Sequence, residues 1–206
     1  MKTKDQIKQS ALKLFNERGV MNVTLRDVAN DLDKSYGNIT YHFSKKDVLI
    51  ENLYQDMLVE LQLINQSITE DKSNLLAKII KAPFKTFDLT LKYIFFYMDF
   101  IEIRRNFNEI YKVIDENNRS RMQIWKYFLI ELQNQNFIQS DLDEEDLVYL
   151  MELSGAMRTF FFLKLTKEEL KKTDLKPEYV TYTNKLFYPY LTIDGKRVYN
   201  EILCQN

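Results

Sequence analysis

The apolar positions of the first 45 residues fall into three sets, each with helical spacing. The sets are Ile7, Ala11, Leu14 and Phe15; Leu25, Val28, Ala29 and Leu32; and Ile39 and Phe43. Gly19 ends the first set, Thr24 is a good N-cap for the second, and Ser35 caps the third after the turn Asp33-Lys34. This order of helix, short helix, turn and short helix predicts a helix-turn-helix, or else a plain three-helix bundle without function.

The rest of the chain continues in longer helical or strongly apolar stretches. These run over 48–64, 84–103, 106–137, 147–165 and 177–190. Pro83 kinks or ends a helix that starts at Leu75. Asp194-Gly195 indicates either a hairpin or a break before a closing helix over 197–203, which we favour. We predict an all-α chain with a three-helix domain over 1–46 and a larger helical domain over 47–206.

Composition supports this fold class and adds a charge asymmetry. Four glycines and three prolines in 206 residues are too few for the tight turns of a strand-rich fold. Residues 1–50 carry a net charge of +3, although the whole chain carries −1, and this hints at an anionic partner for the N-terminal part. The sequence shows neither a membrane-length apolar run nor a signal peptide, so we expect a cytoplasmic protein.

The third short helix offers polar groups to a partner. If Ile39 and Phe43 face inward, Tyr36, Asn38 and Thr40 face outward or sideways. Asparagine can read adenine, threonine can meet the methyl group of thymine, and Gly37 lets a partner approach the backbone. Donors suited to phosphate follow along one rim: Tyr41, His42, Lys45 and Lys46. Base-reading groups flanked by phosphate-binding groups are the arrangement expected of a DNA reader.

Several spaced segments of this region resemble the N-terminal domain of TetR-family transcriptional regulators. The resemblance covers about residues 4–54 and rests on residues 11–15, 19, 23–29, 35–39, 41–43 and 46–49. It implies a homodimer that binds a palindromic operator, usually as a repressor. It also implies that the larger helical domain dimerises and binds a small molecule that releases the DNA.

The resemblance assigns expected roles to single residues. Residues 35–41 would form the recognition helix, in which Tyr36, Gly37, Asn38 and Thr40 read bases. The expected phosphate contacts are Thr24, Arg26, Ser35, Tyr41, His42, Lys45 and Lys46. Two positions depart from the family, because Thr40 stands where tyrosine is common and Tyr36 where a basic residue is common. The operator sequence therefore does not follow from the resemblance.

Aromatic residues cluster in the middle helices, either as core or as the lining of a ligand pocket. Many tyrosine hydroxyls in a core would each need a partner, whereas rings with a few polar groups are typical of small-molecule sites. We expect an apolar or aromatic effector in a pocket lined by Tyr93, Tyr97, Phe100, Tyr111, Met122, Trp125, Phe128 and Arg158. Arg158 would anchor an acidic ligand, or else pair with Glu152 or another acid at an interface.

The helix that contains Arg158 also has small residues beside large apolar ones, which suits close pairing of helices. With a later helix it could form a two-fold dimer bundle, and the alternative is an internal core helix. The expected interface residues are Gly155, Ala156, Phe160, Tyr182, Leu186 and Phe187.

Nothing in the sequence indicates catalysis, a cofactor or a metal. His42 is the only histidine, no nucleophile stands in a recognisable context beside it, and one histidine with one cysteine is too few for a zinc site. Two rival hypotheses remain open. One is a helical carrier or enzyme that has lost DNA binding, and the other is a scaffold that binds a protein through exposed aromatic residues.

Overall fold

The computed structural model describes residues 3–69, 74–166, 168–172 and 174–203. Over these residues the regular structure is helical apart from one isolated bridge between Ile138 and Leu191, which confirms the all-α prediction. The α-helices are α1 (Thr3–Arg18), α2 (Leu25–Asp31), α3 (Tyr36–His42), α4 (Lys46–Thr69), α5 (Leu75–Lys92), α6 (Phe95–Met98), α7 (Phe100–Asn106), α8 (Asn108–Asn134), α9 (Glu144–Leu163), α10 (Leu175–Lys185) and α11 (Ile193–Leu203).

The first helices begin and end at the residues that local chemistry favours. Gly19 has a φ of +84°, which favours glycine, and its N–H donates to the carbonyl of Phe15 at 2.9 Å. The hydroxyl of Thr24 accepts from the N–H of Asp27, whose carboxylate accepts from the N–H of Thr24 in return. Ser35 accepts from the N–H of Asn38 at 3.2 Å and so caps α3. The predicted helix, short helix, turn and short helix are confirmed.

The chain forms two compact units, and the first comprises residues 1–63 and 89–115. Its core includes Val28, Ala29 and Ile39, which hold α2 and α3 in place and are at most 2% exposed. Asn16 joins α1 to the later segment of this unit. Its amide donates to the carbonyl of Lys92 at 2.9 Å and its oxygen accepts from the N–H of Phe95 at 3.2 Å. The helices of the predicted domain over 1–46 thus share this unit with residues 89–115.

The second unit comprises residues 64–88 and 116–206. Its core has an aliphatic part, which includes Leu76, Ile80, Leu129, Leu132 and Ile138. Its aromatic part consists of rings whose centroids are 5.2 to 5.9 Å apart, from Phe87, Phe161, Phe162 and Tyr179. The bulky residues 161 and 162 of α9 are therefore internal core.

The structure decides one helix end that the sequence left open, at Pro83, and shifts another, at the start of α11. α5 runs through Pro83 to Lys92, so the proline does not end the helix. α11 begins at Ile193, four residues earlier than predicted, and this places Asp194 and Gly195 in its first turn. The N–H of Gly195 donates to the hydroxyl of Thr192 at 3.0 Å, which starts the helix instead of a hairpin.

Candidate nucleic-acid interface and ligand crevice

One face of α3 is exposed along its whole length. Tyr36, Gly37, Asn38 and Tyr41 are exposed, and Tyr41 reaches 85% exposure. A Cβ atom added at Gly37 would meet only the hydroxyl of Ser35, at 4.0 Å. The backbone at Gly37 is therefore open to close approach by a partner, as the sequence interpretation requires.

Thr40 differs from the other predicted base-reading residues. It is half-buried, and its hydroxyl donates within α3 to the carbonyls of Tyr36 at 3.1 Å and Gly37 at 3.3 Å. This bond directs the hydroxyl hydrogen toward the helix backbone. The methyl group and the oxygen lone pairs of Thr40 are the groups it can still offer to a base.

Aromatic and cationic side chains lie together around α3. The guanidinium of Arg26, on α2, lies 5.3 Å from the ring centroid of Tyr36, on α3, at cation–π distance. The rings of Tyr41 and His42 meet edge-on with centroids 5.1 Å apart. Lys45 stands three residues after His42 and is exposed. The predicted rim of hydroxyl, imidazole and ammonium groups thus forms one end of the α3 face.

Lys4 is a cation near this rim that the sequence reasoning missed. Its ammonium lies 5.4 Å from the ring centroid of Phe43, the residue that follows α3. Lys4 is exposed and stands at the start of α1, far from α3 along the chain. The only sequence signal for this role of Lys4 was the net positive charge of residues 1–50. A net charge does not indicate which helices contact each other.

Lys46, which the sequence predicts as a phosphate contact, has its ammonium bound within the first unit in this structure without DNA. Its ammonium donates to the carbonyls of Val20 at 2.6 Å and Val23 at 2.9 Å. It also lies 5.5 Å from the ring centroid of Phe107, and burial lowers its pKa. In the free protein this side chain closes the 310 turn Val20–Asn22 between α1 and α2.

Asp99 holds the same turn through the opposite backbone group. Its carboxylate accepts from the N–H of Val20 at 2.6 Å. Burial raises the pKa of this carboxyl, and the bond from Val20 and the charge of Lys46 only partly counter that rise. The N–H of Val20 therefore donates to the carboxylate of Asp99, and the carbonyl of Val20 accepts from the ammonium of Lys46.

The raised pKa of Asp99 predicts a pH-dependent stability. The carboxyl of Asp99 binds its proton more tightly in the folded than in the unfolded protein. This proton binding therefore adds to the free energy of unfolding at low pH, and the addition is lost as pH rises from the ordinary value of 3.8 through the folded pKa. Asp99→Asn keeps an acceptor for Val20 and removes the charge. Its free energy of unfolding should therefore rise relative to wild type in urea titrations as the pH is raised from 3.8 through the folded pKa. A pH-independent difference would contradict this role of Asp99.

The eight residues predicted to line a pocket are divided between the two units, and Tyr93, Tyr97, Phe100 and Tyr111 belong to the first. Tyr93 is 2% exposed and its hydroxyl donates to Glu60 at 2.8 Å. Burial, together with this bond, raises the pKa of Tyr93. The rings of Phe100 and Tyr111 lie 5.9 Å apart. Tyr93 is thus a core residue with a satisfied hydroxyl, which is the alternative that the sequence left open.

The other four predicted lining residues, Met122, Trp125, Phe128 and Arg158, belong to the second unit. Trp125 and Arg158 line one narrow crevice, in which the guanidinium lies 5.7 Å from the indole centroid. Arg158 also donates to the hydroxyl of Ser154 at 2.8 Å and to its carbonyl at 3.3 Å. Met122 and Phe128 pack against the aliphatic core.

A second crevice of this unit adjoins the first. Ile79, Asn184 and Phe187 line both crevices. The other residues of the second crevice are Leu76, Ile80, Leu129, Leu132, Ile138, Leu191 and Tyr199. Each space has room for only about one water molecule. Phe187, which the sequence places at a dimer interface, is half-buried and packs against the core on one side.

α9 carries an exposed apolar face on the side away from its core residues. Its exposed members recur at helical spacing and are Tyr149, Ala156, Phe160 and Leu163, and the half-buried Leu153 lies between the first two. Gly155 is also exposed, and no atom lies within 4 Å of a Cβ added there. Tyr182 and Leu186 are half-buried, and the ring of Tyr182 packs 5.5 Å from that of Phe161. The predicted interface residues on α9 are thus exposed, whereas those after residue 180 are partly covered.

Two further observations bear on the class of protein. Within the described ranges, no three His, Cys, Asp or Glu side chains are placed to hold a metal ion. None of the described helices is long and apolar enough to cross a membrane.

Comparison with known proteins identifies the N-terminal region. Residues 7–53 match the family of bacterial regulatory proteins known as the tetR family. The HTH-type transcriptional repressor KstR2 of Mycolicibacterium smegmatis is 25% identical over 149 residues, which are 71% of this chain and 72% of that protein. The negative transcriptional regulator IcaR of the biofilm operon icaADBC in Staphylococcus aureus is 25% identical over 186 residues, 88% of this chain and 97% of that protein.

A solved structure extends the likeness to the whole fold. A TetR-family transcriptional regulator from Marinobacter aquaeolei VT8 superposes with a TM-score of 0.82 at 24% identity, over 100% of this chain and 98% of that one. These matches agree with the helix-turn-helix and the exposed face of α3. Together they indicate the class of helix-turn-helix transcriptional regulators. The chain carries the tetR-family domain over residues 7–53, so the resemblance predicted from the sequence is confirmed.

Proposed function

We propose that the chain is a cytoplasmic repressor that binds a palindromic operator as a homodimer and leaves it when a small molecule binds the second unit. The observation that carries this proposal is the exposed face of α3, where Asn38 and Tyr41 face solvent while Ile39 is fully buried behind them. One relative is named a repressor and the other a negative regulator, which supports repression over activation.

Within α3 we assign base reading to Asn38, Gly37 and Thr40. Asn38 can bond both edges of adenine, Gly37 lets the backbone approach, and Thr40 offers its methyl group to thymine. Tyr36 lies at the start of α3 against Arg26, so it both faces the groove and orients a cation. The groups assigned to phosphate are Thr24, Arg26, Ser35, Tyr41, His42 and Lys45.

Release follows from the spacing of two α3 helices in the dimer. Two copies read successive major grooves only when their recognition helices lie about 34 Å apart. A ligand that binds better to a dimer of another shape shifts the population away from this spacing. α4 is the proposed lever, because only three residues separate it from α3 and it continues to Thr69.

The experiment that tests the function is selection from a random duplex library at near-physiological salt. Recovery of a palindrome whose half-sites are about one helical turn or more apart supports the dimeric regulator and supplies its operator. Recovery of no sequence above background would turn the assignment toward a helical carrier or a scaffold.

Substitutions at Lys45 and Asn38 should separate the two kinds of contact. Lys45→Ala should weaken binding about equally on all sequences and reduce the slope of log K against log salt by about one per subunit. Asn38→Ala should instead lose about 1–3 kcal/mol of preference at one base pair of each half-site. Salt titrations and repeated selection measure the two effects. An altered base preference in Lys45→Ala, or an unchanged one in Asn38→Ala, would overturn the respective assignment.

A further inference from the structure

The three lysines of α1 differ in whether an acid neutralises them. The ammonium of Lys8 lies 2.6 Å from the carboxylate of Asp56, on α4. The ammonium of Lys13 lies 2.8 Å from the carboxylate of Asp31, the last residue of α2. For Lys4, by contrast, no carboxylate among the described residues lies within the 4.0 Å of an ion pair. The charge of Lys4 is therefore available to an anion from outside the chain.

Lys4 has a defined place beside the end of α3. Its ammonium lies 5.4 Å from the ring centroid of Phe43, at cation–π distance. Phe43 is fully buried, and its N–H donates to the carbonyl of Ile39 at 2.9 Å, so the core of the first unit fixes the ring. Lys4 itself is exposed. Its ammonium therefore stands at the surface over a fixed point of the chain, the residue directly after His42.

This point lies on the rim that we assign to phosphate. His42 precedes Phe43, and Tyr41 and Lys45 stand two residues away on either side of it. All three of these rim side chains can donate hydrogen bonds. Because α1 reaches Phe43 from a distant part of the sequence, Lys4 extends the rim beyond α3 and the turn that follows it.

The acid next to Lys4 in the sequence does not share its direction. Successive residues of an α-helix point about 100° apart, so Asp5 faces another side of α1. Lys8, one turn after Lys4, shares its side of the helix and is itself neutralised. The local charge around Lys4 therefore remains positive on the side that meets Phe43.

Duplex DNA binds an unpaired lysine more favourably than a paired one. A lysine that neutralises a phosphate releases a condensed counterion into solution. A lysine that already binds a carboxylate has its charge compensated within the protein, and it must share or break that ion pair before it binds phosphate. Lys8 and Lys13 would each lose an acid in this way, whereas Lys4 would lose none.

We propose that Lys4 binds a phosphate of the operator backbone, so that the DNA interface includes the start of α1 as well as α2 and α3. Lys8 and Lys13 stay with their acids and make no such contact. The proposal rests on the proposed function, since it concerns operator DNA. It adds a contact from outside the helix-turn-helix, at a residue that stands far from α3 in the sequence.

Salt titrations of operator binding test this contact with matched variants. Lys4→Met keeps the apolar stem over Phe43 and removes only the charge, and Lys13→Met does the same at another exposed position of α1. Lys4→Met should reduce the slope of log K against log salt by about 0.9 per subunit and weaken binding about fivefold per subunit at about 0.15 M salt. Lys13→Met should keep the wild-type slope, and Lys4→Arg should keep it as well.

Ethylation interference on the operator then locates the contact. With the wild-type protein, ethylation of one symmetric phosphate in each half-site should interfere with binding through Lys4. Lys4→Met should lose this interference and keep that at the other phosphates, whereas Lys13→Met should keep all of it. Circular dichroism of each variant checks that it is folded.

The possible results separate this contact from the proposed function. Equal slopes for wild type and Lys4→Met, or equal losses in Lys4→Met and Lys13→Met, would overturn the contact and leave operator binding intact. An unchanged interference pattern in Lys4→Met would also overturn it. Failure of the wild-type protein to bind any operator would remove the proposed function, and the Lys4 contact with it.

Discussion

Gly195→Ala is expected to lower the free energy of unfolding of the second unit by about 2–4 kcal/mol. A Cβ atom at residue 195 would lie 2.2 Å from the carbonyl oxygen of Phe137 and 3.2 Å from the Cβ of Leu191. The first contact is with backbone, which no rotamer change relieves. That same carbonyl accepts from the N–H of Thr192 at 3.0 Å, so a shift of the chain would also break the bond that fixes the start of α11.

Chemical denaturation at fixed protein concentration measures the effect, and the chain supplies a matched control. Gly37 lies within α3, and a Cβ added there would meet only the hydroxyl of Ser35, at 4.0 Å. Gly37→Ala should therefore leave stability unchanged or raise it by up to about 1 kcal/mol, because alanine loses less entropy in a helix. If both variants unfolded at the same denaturant concentration, the close approach of α11 to Phe137 would be refuted.

The features that sequence analysis predicted correctly are local ones. Capping at Thr24 and Ser35, the left-handed Gly19 and the apolar spacing around Ile39 depend on residues within about four positions of each other. Such interactions depend on the order of residues alone. The α3 face and its exposed Asn38 and Tyr41 followed from this local register.

The features that sequence analysis missed depend on contacts between distant segments. The sequence predicted Lys46 as a phosphate contact but not the hydrogen bonds of its ammonium to the carbonyls of Val20 and Val23. Tyr93 and Trp125 were grouped by aromatic composition, although they belong to different compact units. The pair Asp194-Gly195 is locally a hairpin signal. In the structure, Gly195 is instead needed because a larger residue would clash with the carbonyl of Phe137.

Phe160→Glu is expected to separate the proposed dimer and to lower operator affinity at least about 100-fold. Phe160 is 54% exposed in the middle of the apolar face of α9, with Ala156 one turn before it and Leu163 one turn after. In a two-fold interface each substitution occurs twice, so the variant loses two aromatic contacts and places a charge on each copy. A monomer reads only one half-site and forfeits the gain from simultaneous binding of both. Sedimentation equilibrium and operator titration measure the two effects.

Tyr127→Glu on α8 is the control, since Tyr127 is an aromatic residue of similar exposure, 64%, on another helix of the same unit. It should remain dimeric and bind the operator like wild type, because its charge stays in solvent. If Tyr127→Glu were monomeric and Phe160→Glu dimeric, the interface would lie on α8 and not on α9. Monomers from both would mean that the interface spans both helices. A dimeric Phe160→Glu with weakened operator binding would point instead to an effect within the chain, so the oligomeric state must be measured together with DNA affinity.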